Sequence, residues 1–399
     1  MQLNRRHFLA SSALASLVAM TPIRAIAQAD GPIKIGTLTP LTGGGGSYGP
    51  IMAQAVKAVV DQVNAAGGVL GRQVHLVSED TQTNPEAALR AARKLIDVDG
   101  VQAIIGTWAS AVTTAVAPAC WESQVVLSTA SGADAITHLP HNGYLFRTQP
   151  NTVLQGVKFG DFAVEQGAKK VFFMSPQTPF IDTQYGGVKQ QVEAAGGSTQ
   201  LLIYDDKKSS YRSEVDEMLA FGPDLIVLGG YMPDTTVLLK DIFRSNYGGK
   251  MLAFAYSVNA ALIESLPKDV VEGIFTISPS PALGSGGYEN LAKLIGIEQP
   301  DTYTAQVYDQ VNLILLAIAA AGEASGTAVR DTLRTVSQSE GGVEVSNLPD
   351  GLAALADGKT INYTGASGPC DFTEIGDIVD CQFRYEQVKD GAFIHLKTA

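Results

Sequence analysis

The run Ile104-Ile105-Gly106-Thr107-Trp108-Ala109-Ser110 joins a short apolar strand to an Ala-rich helical segment through small hydroxyl residues. Other apolar runs of strand length lie on either side, at Ile33 to Leu38, Val74 to Val77, Val125 to Ser128 and Tyr144 to Arg147. Segments with apolar residues three and four positions apart separate them, which is the spacing of helices. This repeated β-α-β order predicts a parallel sheet with helices on both faces.

The same order starts again in the second half of the chain. Strands are predicted at Lys170 to Met174, Ser198 to Tyr204, Leu225 to Leu228, Lys250 to Ala255 and Gly273 to Ile277. A predicted helix from Thr302 to Gly322 and a hairpin around Cys370 follow both sets, so the chain must return to one or both lobes. The sequence therefore predicts an α/β protein with two Rossmann-like, doubly wound lobes joined by crossing strands.

The first residues have the pattern of an export signal. Asn4-Arg5-Arg6-His7-Phe8-Leu9 precedes an uncharged stretch from Ala10 to Pro22, and Ala25-Ile26-Ala27 has the small residues of a cleavage site. We expect residues 1–27 to be a twin-arginine signal peptide, cleaved after Ala27, that directs the protein to the bacterial periplasm. A membrane anchor is the alternative, but a bilayer span needs roughly 18 apolar residues. Val311 to Ala321 is also too short and suits a buried helix better.

The charge balance excludes one class of partner. The chain has 28 basic and 40 acidic residues, and its formal net charge is −12. Cleavage after Ala27 would remove three basic residues and no acidic ones, which makes the mature net charge −15. An acidic surface repels phosphate backbones, so we expect no nucleic-acid partner. The roughly 370 residues that remain are too many for a single core and indicate two domains.

Two of the three cysteines stand symmetrically about a turn. Folding the segment around Glu374-Ile375-Gly376-Asp377 as a hairpin would place Cys370 opposite Cys381. Because the periplasm is oxidising, we predict a disulfide between them, with two free thiols as the alternative. Cys120 lies in an apolar helical stretch and is expected to be a packed residue.

Catalytic and cofactor motifs are weak. Gly44-Gly45-Gly46-Ser47-Tyr48-Gly49 fits the glycine fingerprint of dinucleotide-binding folds, and Asp80 stands where a ribose-binding acid could lie. However, Thr39 to Gly43 separates the strand from the glycines, and Asp80 follows about 30 residues later where the fingerprint expects about 20. The alternative is a loop at the mouth of a cleft, with Tyr48 as an apolar wall.

The remaining chemistry points away from an enzyme. His138 and His141 flank Leu139-Pro140 in a predicted loop, which is a poor arrangement for a metal site. The sequence has no phosphate-binding loop of the pattern Gly-x-x-x-x-Gly-Lys-Ser or Gly-x-x-x-x-Gly-Lys-Thr. We expect no catalytic residues, no metal and no cofactor.

Two strand-to-helix junctions offer a different kind of site. The first leads into a helix at Ser110, and the second is Leu127-Ser128-Thr129-Ala130-Ser131-Gly132-Ala133-Asp134. Backbone N–H groups at a helix N-terminus, together with a serine hydroxyl, can bind a carboxylate. Ordinary helix capping by Ser110 and Ser131 is the alternative. Both junctions lie at carboxyl ends of parallel strands, where open α/β sheets bind ligands, and this favours the ligand site.

Several longer runs carry a resemblance to a known family: Ile33-Lys34-Ile35-Gly36, Pro40-Leu41-Thr42-Gly43, Tyr48-Gly49, Asn64-Ala65-Ala66-Gly67-Gly68-Val69-Leu70-Gly71-Arg72, Phe146-Arg147-Thr148, Gln184-Tyr185-Gly186 and Gly229-Gly230-Tyr231-Met232-Pro233. On these runs the sequence resembles type I periplasmic binding proteins of the leucine/isoleucine/valine-binding kind, which serve ABC importers. The resemblance implies a clamshell joined by three crossovers. Residues 31–148 with 280–365 would form the N-terminal lobe, and residues 149–279 with 366–399 the C-terminal lobe.

The resemblance also implies roles for individual residues. The first lobe would contribute Tyr48, Trp108, Ser110, Ala130 and Ser131, with Ser110 holding a ligand carboxylate. Tyr185 and Tyr231 would close over the ligand from the second lobe, and Tyr303 would lie near the cleft floor.

Two departures from the family pattern concern the ligand. Gly132 stands where amino-acid-binding members place a threonine, and Phe254-Ala255-Tyr256-Ser257 stands where they place an acid that pairs with the α-ammonium. A buried ammonium without a carboxylate partner costs several kcal/mol. We therefore expect an aromatic or other non-amino carboxylate, with Tyr256 in the wall, unless Asp234 turns inward.

The expected function is capture of a small organic ligand by cleft closure and its delivery, by a monomeric protein, to the permease subunits of an ABC importer. One alternative is a sensor subunit of the same fold that presents its ligand to a receptor. A second is an exported nicotinamide-dependent oxidoreductase, because the twin-arginine route carries folded proteins.

Overall fold

Two separate sheets organise the protein. The computed structural model describes residues 31–399, so the signal peptide predicted at residues 1–27 lies outside the described residues. The first sheet is parallel and has the strand order β2-β1-β3-β4-β5. Its strands are β1 (Ile33–Thr39), β2 (Val74–Asp80), β3 (Ala103–Thr107), β4 (Val126–Thr129) and β5 (Leu145–Arg147). Every residue of β3 and β4 is buried, as expected of central strands that helices cover on both faces.

Three helices follow strands of this lobe, and capping residues mark the start of one and the end of its continuation. They are α1 (Gly49–Ala65), α2 (Pro85–Arg93), continued by a π-helical turn at Lys94–Asp99, and α3 (Ser110–Glu122). Helix α2 begins after Asn84, whose side chain accepts a hydrogen bond from the backbone N–H of Ala87 at 2.9 Å. The π-helical turn ends at Gly100, which has a left-handed backbone.

The second lobe repeats the plan. Strands β6 (Lys170–Pro176), β7 (Ser198–Tyr204), β8 (Leu225–Leu228), β9 (Lys250–Phe254) and β10 (Phe275–Pro279) are parallel in the order β10-β9-β8-β6-β7. The helices between and beside them are α4 (Thr152–Glu165), α5 (Pro179–Ala194), α6 (Arg212–Phe221), α7 (Met232–Arg244), α8 (Ala260–Ser265) and α9 (Lys268–Val271). All ten strands predicted from the sequence are present.

The chain then returns to the first lobe and finally to the second. Helices α10 (Gly286–Ile295), α11 (Thr302–Ala321), α12 (Gly326–Ser337) and α13 (Leu348–Ala356) pack with the first sheet, beside the short parallel pair β11 (Val343–Val345) and β12 (Ile361–Tyr363). The hairpin β13 (Phe383–Lys389) and β14 (Ala392–Thr398) then extends the second sheet at its β10 edge. Helix α11 is apolar and long enough to span a membrane, but 83% of its candidate span is buried, which identifies it as a core helix.

The chain crosses between the lobes three times: after β5, after β10 and before β13. One boundary differs from the prediction. Residues 366–382 were assigned to the C-terminal lobe, but Asp377 forms an ion pair with Arg147 and Phe372 packs edge-on against Phe146, both on β5. The last crossing therefore lies near Gln382 rather than at residue 366.

The predicted disulfide is wrong, because Cys370 and Cys381 are both free thiols. The segment does turn back on itself, but Phe372 pairs with Ile378, and the N–H of Val379 donates to the carbonyl of Asp371 at 2.9 Å. In this pairing register Cys370 lies opposite Asp380, whereas the predicted register placed it opposite Cys381. A one-residue shift turns a side chain to the opposite face of a strand pair. Cys120 is buried, as expected, and burial raises the pKa of its thiol to about 12.

Candidate functional site

The first strand-to-helix junction presents a hydroxyl group and a helix N-terminus together. Ala109 has an extended backbone and α3 begins at Ser110, so the first N–H groups of the helix have no partner within it. The Ser110 Oγ accepts a hydrogen bond from the N–H of Ala133 at 3.1 Å. Because that contact uses a lone pair, the hydroxyl proton of Ser110 remains available to an anion.

The second junction is built differently from the prediction. It continues into a three-residue 3-10 helix, Asp134–Ile136, rather than an α-helix, so only one of the two expected helix N-termini is present. Ser131 is fully buried and donates to the carbonyl of Trp108 at 2.8 Å, with the Thr113 hydroxyl 2.5 Å away. Its hydroxyl fixes the two junctions to each other.

Arg147 stabilises the second junction through hydrogen bonds. The sequence did not predict this role. The guanidinium is fully buried and donates to the carbonyls of Gly132 and Ala133 at 3.1 and 2.6 Å. It also donates to a carboxylate oxygen of Asp377 at 2.7 Å. A buried arginine needs such partners, and here they orient the backbone that faces Ser110.

Trp108 stands at the centre of a cluster of tyrosines from both lobes. Its ring centroid lies 5.8 Å from Tyr48, 5.5 Å from Tyr303, 5.7 Å from Tyr231 and 5.7 Å from Tyr256. Asp301 caps α11 and places Tyr303 in its first turn, because the carboxylate accepts the N–H of Tyr303 at 2.9 Å. Tyr231 and Tyr256 follow β8 and β9 in the second lobe.

A small cavity of about 30 Å³ lies between these rings and Ser110. Both lobes line it, with Trp108, Ala109, Ser110, Ala130, Gly132, Gln149, Thr178, Phe180, Gly229, Tyr231, Tyr256 and Tyr303. Within residues 31–399, no acidic side chain lines this cavity. The arrangement offers one positive end, at α3 and Ser110, and walls that are mostly aromatic, with Gln149 and Thr178 as further polar side chains.

A clamshell of two doubly wound lobes with a cavity between them has clear relatives. The chain matches the model of the family described as periplasmic binding protein over residues 32–359. The chain belongs to this family. It is 27% identical to BasB of Halobacterium salinarum, a substrate-binding protein of a chemotactic signal transduction system, over 86% of this chain and 84% of that one.

Solved structures confirm the fold of this periplasmic binding protein. The leucine-binding protein LivK of Thermotoga maritima superposes with a TM-score of 0.79 at 23% identity, covering 92% of this chain and 98% of LivK. A solute-binding protein of an ABC transporter from R. palustris, in complex with benzoate, gives a TM-score of 0.74 at 19% identity, with 92% and 96% covered.

The binding protein brings most of the expected ligand residues to the cavity. Trp108, Ser110, Ala130, Tyr231, Tyr256 and Tyr303 line it, whereas Tyr48, Ser131 and Tyr185 lie outside its lining. The Tyr48 hydroxyl donates to the carbonyl of Ala255 at 3.0 Å and accepts from Asn259 at 3.3 Å, which joins the two lobes. Tyr185 instead meets the hydroxyl of Thr199 within the second lobe, at 3.1 Å.

Gln149, Thr178 and Phe180 were missed by sequence reasoning. Thr178 and Phe180 follow β6, whose carboxyl end is a position where such sheets bind ligands, so a signal existed. Gln149 lies in the first crossing and is 2% exposed; its Oε1 accepts from the Gln306 amide at 2.7 Å. The position of Gln149 depends on how the lobes meet, which strand patterns do not encode.

The glycine-rich loop of the binding protein is packed against aromatic rings. A Cβ atom on Gly45 would lie 2.8 Å from the Trp108 ring, and one on Gly44 would lie 3.0 Å from the Tyr231 ring. Asp80 accepts hydrogen bonds from the N–H and hydroxyl of Thr42, at 3.2 and 2.6 Å. The glycines thus allow the loop to contact the aromatic rings closely, and the Asp80 carboxylate is used to fix the loop. Because both features have these structural roles, the structure argues against the dinucleotide interpretation.

Asp234 does not supply an acid to the cavity. It lies behind Tyr231 and accepts a hydrogen bond from the Tyr204 hydroxyl at 2.7 Å. Burial raises the pKa of Asp234 to about 6, and the hydrogen bond from Tyr204 opposes this shift. The described part of the chain contains no group of three or more His, Cys, Asp or Glu side chains that could hold a metal ion.

Proposed function

We propose that this periplasmic binding protein is the exported solute-binding subunit of an ABC importer and that its ligand is a small organic carboxylate without a primary ammonium group. The observation that carries this proposal is the cavity itself. Ser110 keeps a hydroxyl proton beside the N-terminus of α3 at one end, and the rest of the lining is largely aromatic, with Gln149 and Thr178 but no acid. Charged hydrogen bonds from such a hydroxyl contribute about 1.5–3 kcal/mol.

Two backbone carbonyls at this cavity, those of Gly132 and Gly229, are already occupied and offer little to a primary ammonium. The carbonyl of Gly132 already accepts from Arg147 and from the N–H of Thr152, at 3.1 and 2.9 Å. The carbonyl of Gly229 accepts from Ser175 and Tyr256, at 3.2 and 3.4 Å. An ammonium that loses its water here would therefore remain poorly paired, which costs free energy.

Relatives support a non-amino ligand as well as an amino acid. The R. palustris protein of the same fold holds benzoate, whereas LivK is described as a leucine-binding protein. The acid-free, largely aromatic cavity of the present chain favours a ligand without an amino group. Capture without chemical change fits a cavity whose polar groups are donors rather than an acid–base pair. The twin-arginine pattern supports capture in the periplasm, from which the permease subunits would receive the ligand.

Calorimetric titration of refolded, ligand-free protein with benzoate and with benzamide tests the proposal. We expect the carboxylate to bind at least tenfold tighter than the amide, because only the anion gains from Ser110 and α3. Ser110→Ala should remove most of this difference, whereas Ser265→Ala, at an exposed serine on α8, should not. If the amide binds as tightly as the carboxylate, or if none of a panel of small carboxylates binds, the proposal is wrong.

A further inference from the structure

The rings that line the cavity stand at steep angles to one another. Trp108 makes angles of 89° with Tyr256, 86° with Tyr303 and 43° with Tyr231, and Tyr231 makes 48° with Tyr256. A flat ligand ring is best held between two nearly parallel walls. Walls that meet at steep angles enclose a compact, rounded group instead, once the lobes part enough to admit it.

These walls are also rich in aromatic rings, whose faces carry the negative part of the ring quadrupole. Aromatic faces attract cations, with Trp the strongest and Tyr next. The Asp234 carboxylate behind Tyr231 adds to this field, because burial and then the charge of Asp234 raise the pKa of Tyr231. Burial, Tyr231 and Tyr303 raise the pKa of Tyr256 more than Asp234 does. The opposite end of the cavity, at Ser110, has the positive end of the α3 dipole.

The shortage of acceptors distinguishes between kinds of cation. An N–H-bearing ammonium needs acceptors, and the carbonyls of Gly132 and Gly229 are each occupied twice. A nitrogen that carries only carbon substituents has no N–H groups to satisfy, so aromatic faces alone can hold it.

We infer that the cleft takes a carboxylate whose other end is a quaternary, fully methylated ammonium group. The carboxylate lies at Ser110, and the methylated nitrogen lies among the rings of Trp108, Tyr231 and Tyr256, with Tyr303 as a fourth wall. The inference rests on the proposed function for the carboxylate end and adds the chemistry of the other end.

The test compares two ligands of the same shape in calorimetric titrations of refolded, ligand-free protein. Trimethylglycine and tert-butylacetate have the same carboxylate and differ in the atom that bears the three methyl groups, a charged nitrogen or a neutral carbon. We expect trimethylglycine to bind at least tenfold tighter. Equal or tighter binding of tert-butylacetate, or no binding of trimethylglycine, overturns the inference. If tert-butylacetate or benzoate still binds, the proposed function survives; if no carboxylate binds, both fail.

Variants of Tyr256 separate the ring face from the hydroxyl. Tyr256→Phe keeps the aromatic face and should retain more of the preference for trimethylglycine over tert-butylacetate than Tyr256→Leu does. Tyr256→Leu removes the face and should lower that preference about fivefold. Because the readout is a ratio of two ligands on one variant, a general loss of stability does not produce it. An unchanged ratio in both Tyr256→Leu and Tyr231→Leu would contradict the aromatic cage.

Discussion

The ring of Phe180, in the second lobe, lies where a side chain on Gly132, in the first lobe, would have to lie. A Cβ atom on Gly132 would lie 2.8 Å from Cε2 of the Phe180 ring and 2.9 Å from the Gln155 amide. The absence of a side chain at this position therefore allows Phe180 to reach the cavity lining. We therefore expect the effects of substitutions at Gly132 and Phe180 to depend on each other.

Gly132→Thr should weaken ligand binding by about tenfold or more, because the new side chain meets Phe180 when the lobes close. Overpacking of this kind typically costs about 1–3 kcal/mol. Adding Phe180→Ala should restore part of the loss, and the single variant Phe180→Ala serves as the control. Calorimetry on the three variants measures the coupling. If the losses of the two single variants simply add, the two positions are independent.

Tyr48→Phe should shift the protein toward the open state. The Tyr48 hydroxyl is bonded to Ala255 and Asn259 across the lobes, and a hydrogen bond of this kind contributes about 0.5–1.5 kcal/mol. Removing it should weaken apparent affinity about three- to tenfold, since only the closed fraction binds tightly. Small-angle scattering should show that saturation with ligand reduces the radius of gyration less completely than in the wild type.

The matched control is Tyr185→Phe, which removes a hydroxyl whose partner, Thr199, lies in the same lobe. It should leave closure and affinity unchanged. Equal effects of the two variants would mean that the Tyr48 contact does not hold the lobes together.

Much of this architecture could be predicted because it depends on local patterns. Strands β7 and β8 have the predicted bounds, and α11 follows the predicted helix to within one residue. The hairpin of β13 and β14 was missed although Asp390-Gly391, with positive φ at both residues, is a strong turn signal. The symmetric cysteines instead predicted a hairpin in the preceding segment. There the pairing register is shifted by one residue, so the two cysteines do not lie opposite each other.

The site was predictable where it lies at strand ends and unpredictable where it depends on the meeting of lobes. Trp108 and Ser110 follow β3, and their position is set by one junction. Phe180 and Gln149 reach the same cavity only because the lobes approach each other, and the support of Gly132 by Arg147 depends on the fifth strand lying beside the fourth.

Asp234 should make stability depend on pH in the weakly acidic range. Its pKa is raised by burial from an ordinary 3.8 to about 6, so between these values the folded state holds a proton that the unfolded state has lost. The contribution of Asp234 to the free energy of unfolding is therefore largest at low pH and declines as the pH rises toward 6. Asp234→Asn removes the effect and should gain about 2 kcal/mol relative to the wild type between pH 4.5 and pH 7.

Urea denaturation at several pH values measures that difference, and Asp161→Asn, at an exposed carboxyl on α4, provides the baseline. A constant difference between Asp234→Asn and the wild type across this range would show that Asp234 does not hold its proton more tightly in the folded state.

Leucine would need a carboxylate partner for its α-ammonium group. Asp234, which the sequence offered for this role, is bonded to Tyr204 and lies outside the cavity lining. A primary ammonium in the cavity thus has aromatic faces but no carboxylate partner. Its contacts therefore offset only part of the free-energy cost of removing it from water. We expect leucine to bind no tighter than its deaminated analogue in calorimetric titrations of ligand-free protein. A tenfold preference for leucine, about 1.4 kcal/mol, would contradict this. If that preference then disappeared in Asp234→Asn, the carboxylate would have to reach the ligand through a rotation of Tyr231 that accompanies binding.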